Sequence, residues 1–254
     1  MTVHRSAAQG YKSVAALYVA GRPDYPDAAR VWLRETLGLG PGKTVMDVGA
    51  GTGKFLPYLR ETGAKVRALE PVDGMRARLT RDNPDVEAFA GTADRIPVPD
   101  ASLDAIVCAQ SFHWFATRAA MAEFARVLKP GGTLGLIWNV RDESVDWVAA
   151  ITAITDPYEA GTPRYKHDDW RKVLPGEGFV ALPEIAAENP HIGTADQTIL
   201  ARTLSVSFIA ALPEAEQQKI EARLRALIAA TPELAGRSTI AFPYITRMYS
   251  YRRV

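Results

Sequence analysis

Val45-Met46-Asp47-Val48-Gly49-Ala50-Gly51-Thr52-Gly53-Lys54-Phe55-Leu56 joins an apolar strand to a helix through a turn with glycine at every second position. Such a turn lets the main chain come close to a ligand, and the helix behind it offers unpaired N–H groups to something negative. Glu70 ends the next apolar run, 17 residues after Gly53. In a nucleotide-binding α/β unit an acidic side chain there accepts hydrogen bonds from ribose hydroxyls. Lys54 stands where the dinucleotide fingerprint needs a third glycine, which opposes NAD, and there is no Gly-Lys-Ser/Thr of a phosphate loop, which opposes ATP hydrolysis. His113, in Ser111-Phe112-His113-Trp114-Phe115, follows the fourth strand-like run, where the open end of a parallel sheet meets a ligand crevice. It reads as a base or polar orienter, or equally as a histidine packed among aromatics. Arg22, in Arg22-Pro23-Asp24-Tyr25-Pro26, has the planar fork to hold a carboxylate; alternatively the prolines simply start a helix from Asp27 to Leu37. Trp114 reads as core, Arg141, Lys166 and His167 as secondary candidates, and Arg252-Arg253 as a solvated tail.

The elements that must position these residues alternate in period. Thr44–Val48, Val66–Leu69, Val86–Phe89, Leu103–Ala109 and Thr133–Trp138 read as strands with helical stretches between them, which predicts a parallel sheet covered on both faces. Thr117 is a cap for a helix carrying Met121, Phe124, Ala125 and Leu128, stopped by Lys129-Pro130-Gly131-Gly132. Asp73 caps another with Met75 and Leu79, ended by Asn83-Pro84. Beyond Asn139, Asp146–Ala160 and Pro213–Ala230 look helical and Phe242–Tyr251 looks like a closing strand. Tyr158 to Pro190, rich in proline, glycine and charge, reads as an irregular insertion that shapes a pocket.

Composition removes several classes. The 254 residues are 47% apolar, enough for a real core, and 19 glycines and 17 prolines are too few for a low-complexity chain. With 30 Lys+Arg against 29 Asp+Glu the net charge is +1, and no basic run reaches five residues, so neither nucleic acid nor an anionic membrane is an expected partner. Cys108 is the single cysteine, and the four histidines lack a ligand-like spacing, so neither an internal disulfide nor a structural metal is expected. Met1 to Gly10 lacks a hydrophobic signal core and no apolar run approaches the roughly 18 residues of a membrane span, which makes the cytoplasm the expected location.

In order along the chain, Asp47-Val48-Gly49-Ala50-Gly51-Thr52-Gly53, Leu69-Glu70-Pro71, Gly91-Thr92-Ala93-Asp94-Arg95-Ile96-Pro97, Phe112-His113-Trp114 and Leu128-Lys129-Pro130-Gly131-Gly132 resemble the motifs of class I S-adenosylmethionine-dependent methyltransferases. The similarity is strongest to the group that includes ubiquinone-biosynthesis methyltransferases and covers Lys43 to Asn139. It implies an α/β, Rossmann-like, doubly wound sheet of seven mostly parallel strands with helices on both faces, the last strand antiparallel between strands five and six. It implies S-adenosyl-L-methionine as cofactor and S-adenosyl-L-homocysteine as product. Asp47 with Gly49, Ala50, Gly51 and Gly53 would hold the methionine part, and Glu70 the ribose. Pro71 and Met75 would flank the adenine, Asp94 and the backbone of Ala93 would meet its edge, and Gln110 and Ser111 would approach the methionine end. Arg22 to Pro26 resembles the N-terminal lid of methyltransferases similar to those acting on trans-aconitate. The organisation implied is a lid and helix over 1–42 and a methyltransferase domain over 43–254, with a substrate-shaping insertion at about 141–200.

The expected activity is methyl transfer to a small-molecule acceptor by a monomer or homodimer. The donor's methyl group is already activated, so alignment and exclusion of water do most of the work, and orientation of that kind supplies roughly 7–11 kcal/mol. A carboxylic acid acceptor needs no deprotonation, whereas a phenol, amine or carbon acid would profit from a base such as His113. Two alternatives stay open: a protein of this fold that binds the cofactor without catalysis, and an NAD-dependent oxidoreductase, which Lys54 opposes.

Overall fold

Leu103–Ala109 is apolar at every position but Asp104, as suits a strand covered on both faces. Its residues divide accordingly: Ile106 and Cys108 enter one hydrophobic core, Ala105 and Val107 the other. The computed structural model describes residues 22–254. Residues 1–21, which include the stretch read as lacking a signal core and the start of the expected lid, lie outside the described residues.

Strands β1 (Thr44–Val48), β2 (Lys65–Leu69), β3 (Glu87–Phe89), β4 (Leu103–Ala109) and β5 (Leu128–Arg141) run parallel in the order β3-β2-β1-β4-β5. On the outer side of β5 the sheet continues through the closing strand. Two short strands, β6 (Phe179–Ala181) and β7 (Ile185–Glu188), both pair antiparallel with it; β8 (His191–Gly193) and β9 (Ile240–Phe242) pair only with each other; and the closing strand itself is β10 (Tyr244–Arg253), antiparallel to β5. This is the doubly wound, mostly parallel sheet that the sequence predicts, with its last strand inserted antiparallel. The outer edge differs, being two short strands where one is expected, inside the stretch read as an irregular insertion. Pro183 lies at the break, where a strand would need an amide donor.

Helices α1 (Asp27–Val31), α2 (Leu56–Arg60), α3 (Asp73–Asp82) and α4 (Arg118–Val127) cover the sheet. Thr117 caps α4 as expected, its hydroxyl accepting from the Ala120 amide at 3.1 Å. α3 starts at Asp73 itself, without a side-chain cap, and stops at Asn83, whose side-chain amide donates to the Leu79 carbonyl at 3.0 Å. α1 continues through the wide turn Trp32–Thr36 and is clipped to the sheet by the Trp32 indole, which donates to the Ser250 hydroxyl at 2.8 Å. β5 begins five residues earlier than the sequence suggests: the Pro-Gly-Gly that reads as a helix stop is absorbed as a shift in the β4–β5 register between Leu103 and Ala105.

A third cluster of buried residues lies beyond β5. Helices α5 (Asp146–Thr155), α6 (Arg202–Leu204), α7 (Ser207–Ala210) and α8 (Glu214–Ala230) supply Val148, Ile151, Ile209, Ile220 and Leu224, and β9 and β10 supply Phe242 and Tyr244. α5 is shorter than its apolar pattern, giving way to a tight turn at Asp156–Tyr158, and Pro243 separates β9 from β10 where one closing strand is expected. Tyr244 pairs with Arg141, so β10 begins at the rim where the parallel strands end. Among the described residues, no helix is long and apolar enough to cross a membrane.

Candidate active site

The cavity lies at the carboxyl ends of the parallel strands, as the doubly wound topology directs. Its floor is the glycine turn after β1. Gly49 has φ +72°, and a Cβ there would sit 2.8 Å from the Cβ of Ser111, so only a bare main chain fits between the two loops. Gly51, with φ +60°, faces open space instead: the nearest atom to a Cβ there is the Met75 sulfur at 4.0 Å. The turn is tied to β2, since the amides of Gly49 and Ala50 both donate to the Leu69 carbonyl, at 2.9 and 3.2 Å.

Glu70 follows directly and is only 4% exposed. One carboxylate oxygen accepts from the Gly51 amide and the other from the Val72 amide, each at 2.8 Å. Each oxygen retains a lone pair for a ligand hydroxyl. Burial raises the pKa of this carboxyl, with the two amides and Arg76 pulling the other way. Asp47, on β1, is 1% exposed and lines the same cavity, yet neither of its oxygens has a hydrogen-bond partner of normal geometry. Burial first, and then the charge of Glu70, push its pKa up to about 8. Two buried oxygens left unmatched beside a second carboxylate form a site that favours a cation.

Pro71, Val72 and Met75, from the start of α3, and Ala93, after β3, continue the lining. Gln110 and Ser111 do so past β4: Gln110 takes φ +60°, uncommon for a residue with a side chain, and the Ser111 hydroxyl donates to the Val48 carbonyl at 2.7 Å. The expected cofactor residues therefore converge, with two exceptions. Gly53 lies behind the cavity, because a Cβ there would meet Leu56 at 2.9 Å and Asn83 at 3.0 Å; it is bare so that α2 and α3 can pack. Asp94 is also outside the lining, and a hydrogen bond from Thr92 holds its carboxyl below the usual range.

Of the two readings open for His113 the structure has the packed one, and Trp114, read as core, takes the place at the cavity. They share the tight turn Phe112–Trp114, in which neighbouring side chains point apart, and it is Trp114 that lines the cavity. His113 is turned into the aromatic cluster. The Trp138 indole N–H donates to His113 Nδ1 at 3.2 Å, and the Trp114 ring lies 5.1 Å away. Burial, with Arg164, Arg22 and His167 nearby, drives its pKa down to about 3, far too weak a base for proton abstraction at neutral pH.

Arg22 and Tyr25 lie on the rim, on a segment held by the side chains of Lys54, Asn139 and Asn189. Lys54 Nζ donates to the Arg22 carbonyl at 2.6 Å and pairs with Asp24 at 3.4 Å. Asn139 and Asn189 each donate to the Asp24 carbonyl, at 3.2 and 2.7 Å, and the Thr246 hydroxyl donates to Asn139 Oδ1 at 2.6 Å. Asn139, Arg202 and Tyr244 complete the lining, and the sequence gives no sign of them. They come from distant segments with no shared spacing. Lys166 and His167 instead surround the buried Glu159, at 3.0 and 2.5 Å, away from the cavity.

The methyltransferase domain family matches residues 46–136, the segment that carries the glycine turn, Glu70 and the loop after β4. An uncharacterized methyltransferase-like protein of Schizosaccharomyces pombe is 35% identical over 243 residues, covering 94% of each chain. The chain belongs to the class I S-adenosylmethionine-dependent methyltransferases. An uncharacterized methyltransferase of Mycobacterium tuberculosis is 36% identical to this methyltransferase over 242 residues, covering 95% of both. The fold of this methyltransferase is also that of the YcgJ protein of Bacillus subtilis, at 19% identity and a TM-score of 0.59, over 90% of this chain and 99% of the other.

Proposed function

We propose that this chain transfers a methyl group from S-adenosylmethionine to a small-molecule acceptor, and that the acceptor is a carboxylic acid. The observation that carries the reading is Asp47, a buried carboxylate with both oxygens unmatched, beside a glycine turn that leaves open space at Gly51. A ligand that brings an ammonium group on a flexible tail fits that pairing. When bound, the donor supplies a methyl group on a sulfonium centre.

The chain's own residues then have separate tasks. Asp47 and the main chain from Gly49 to Gly51 hold the amino-acid tail. Glu70, fixed from behind by the Gly51 and Val72 amides, turns its remaining lone pairs to the ribose hydroxyls. Pro71 and Met75 flank the base, the Ala93 backbone meets its edge, and Gln110 and Ser111 border the methionine end. Arg22, held by the Lys54 and Asn139 contacts on its segment, covers the cavity and limits water.

The acceptor class follows from what the lining lacks. Among the described residues around the cavity there is no histidine or cysteine, and Lys54 is engaged with Asp24 and the Arg22 carbonyl. An acceptor that enters already ionised needs no proton removed. The test is calorimetric titration with S-adenosylhomocysteine and with NADH, followed by transfer of a labelled methyl group from S-adenosylmethionine to a panel of small acids. Tight binding of NADH alone, or no ester formed at saturating donor, would refute the proposal.

A further inference from the structure

The cavity is electrically lopsided. Asp47 and Glu70 stand where β1 and β2 end, whereas Arg22, Lys54 and Arg202 line the remainder together with the neutral Asn139 and Tyr244. The carboxylate near the basic side chains is Asp24, which is exposed and bonded to Lys54 at 3.4 Å. Arg202 contributes to lowering the proton affinity of both Lys54 and His191, after burial, so its charge reaches across this end of the cavity. A positively charged donor belongs at the first end and an anion at the second.

Tyr244 makes the second end specific. It is 2% exposed and lines the cavity, and its buried hydroxyl has no hydrogen-bond partner. The ring cannot swing away to find one: it packs on Phe242, with centroids 5.0 Å apart, and its main chain is paired to Arg141 in the sheet. A buried hydroxyl held without a partner at a cavity wall is matched when a ligand oxygen arrives. Arg202 is placed by the next residue, since Thr203 is fully buried and its hydroxyl accepts from Arg141 at 3.3 Å. The same arginine at the end of β5 thus fixes both residues.

We infer that Tyr244 and Arg202 are the specificity-determining residues for the acceptor, together taking the carboxylate of a small organic acid at the β10 end of the cavity. The inference rests on the methyl-transfer reading above. With the carboxylate so held, one of its oxygens supplies the electron pair of the new O–CH3 bond as the S–CH3 bond breaks and its pair passes to sulfur. The sulfonium charge and the carboxylate charge vanish together, and no proton moves.

The test uses the full chain saturated with S-adenosylhomocysteine and measures binding of matched pairs: butanoate and butanamide, phenylacetate and phenylacetamide, succinate and succinamide. At least one acid should bind about 10-fold or more tightly than its amide. Tyr244→Phe and Arg202→Met should each weaken that acid about 10-fold, with S-adenosylhomocysteine affinity within about two-fold of wild type, which also reports on folding. Normal S-adenosylhomocysteine binding with no acid preferred to its amide overturns the assignment, as does undiminished acid binding in both variants. Failure of S-adenosylhomocysteine to bind wild type instead overturns the methyl-transfer reading, and this inference falls with it.

Discussion

Binding of S-adenosylhomocysteine should release a proton from Asp47, and the size of the effect follows from its burial. With a pKa of about 8, Asp47 is protonated in most empty molecules at neutral pH, whereas a ligand ammonium beside it requires the carboxylate. The apparent Kd then scales as one plus the ratio of protonated to ionised carboxyl, about 100 at pH 6 and about 2 at pH 8. Affinity should therefore rise about 50-fold between those values, equivalent to ~2.3 kcal/mol. Calorimetry at pH 6 to 7 in buffers of different ionisation enthalpy should show close to one proton released per ligand. Asp47→Asn should abolish both the release and the pH dependence while binding more weakly throughout. The empty protein should respond in the opposite sense. The native state keeps this proton up to about pH 8, whereas the unfolded chain loses it near 3.8, so stability falls as pH rises between the two, by about 6 kcal/mol at most, and levels off above. Asp47→Asn should accordingly raise Tm at pH 8 in the absence of ligand. A flat Kd from pH 6 to 8, with heats independent of buffer, would refute the reasoning.

Gly51→Val combines a disfavoured φ of +60° with a branched side chain in the space left open for the ligand, and should reduce S-adenosylhomocysteine affinity more than about 100-fold by calorimetry. His113→Phe removes the acceptor of the Trp138 indole proton; it should lower stability by about 1–3 kcal/mol in denaturant melts yet leave S-adenosylhomocysteine affinity unchanged, and a large loss of affinity would return His113 to the site. Lys54→Met frees the segment at Arg22 and Asp24 from the glycine turn, so limited proteolysis should cut near residue 24 faster than in wild type; equal rates would show that the Asn139 and Asn189 contacts suffice.

The parts of the fold that sequence makes legible are those governed by local rules. β1 and β4 are apolar apart from Thr44, Asp47 and Asp104, and their observed limits are those expected; the Thr117 cap needs only a hydroxyl before a helical stripe. The edge strands β6 and β7 are half-exposed, short and split at Pro183, so neither hydrophobic run nor alternation marks them. The donor half of the candidate site is legible for the same reason as β1: a glycine turn and a strand-end carboxylate lie within one βαβ unit. The other half is assembled by long connections, which bring Arg202 and Tyr244 to a rim whose other residues lie at least 60 positions away. His113 and Trp114 could not be told apart, since adjacency in a tight turn leaves their orientation to the packing of Trp138 and Phe112, which is set elsewhere in the chain.

The split outer border of the sheet has a consequence for how copies of this protein can meet. An uninterrupted border would present a long row of open amides and carbonyls on which a second chain could template. Here a proline sits mid-row, and Glu184 next to it is tethered to Arg247 at 2.7 Å, placing a charged pair where an incoming backbone would have to lie. Growth of the sheet from one molecule into the next is thereby opposed on that side.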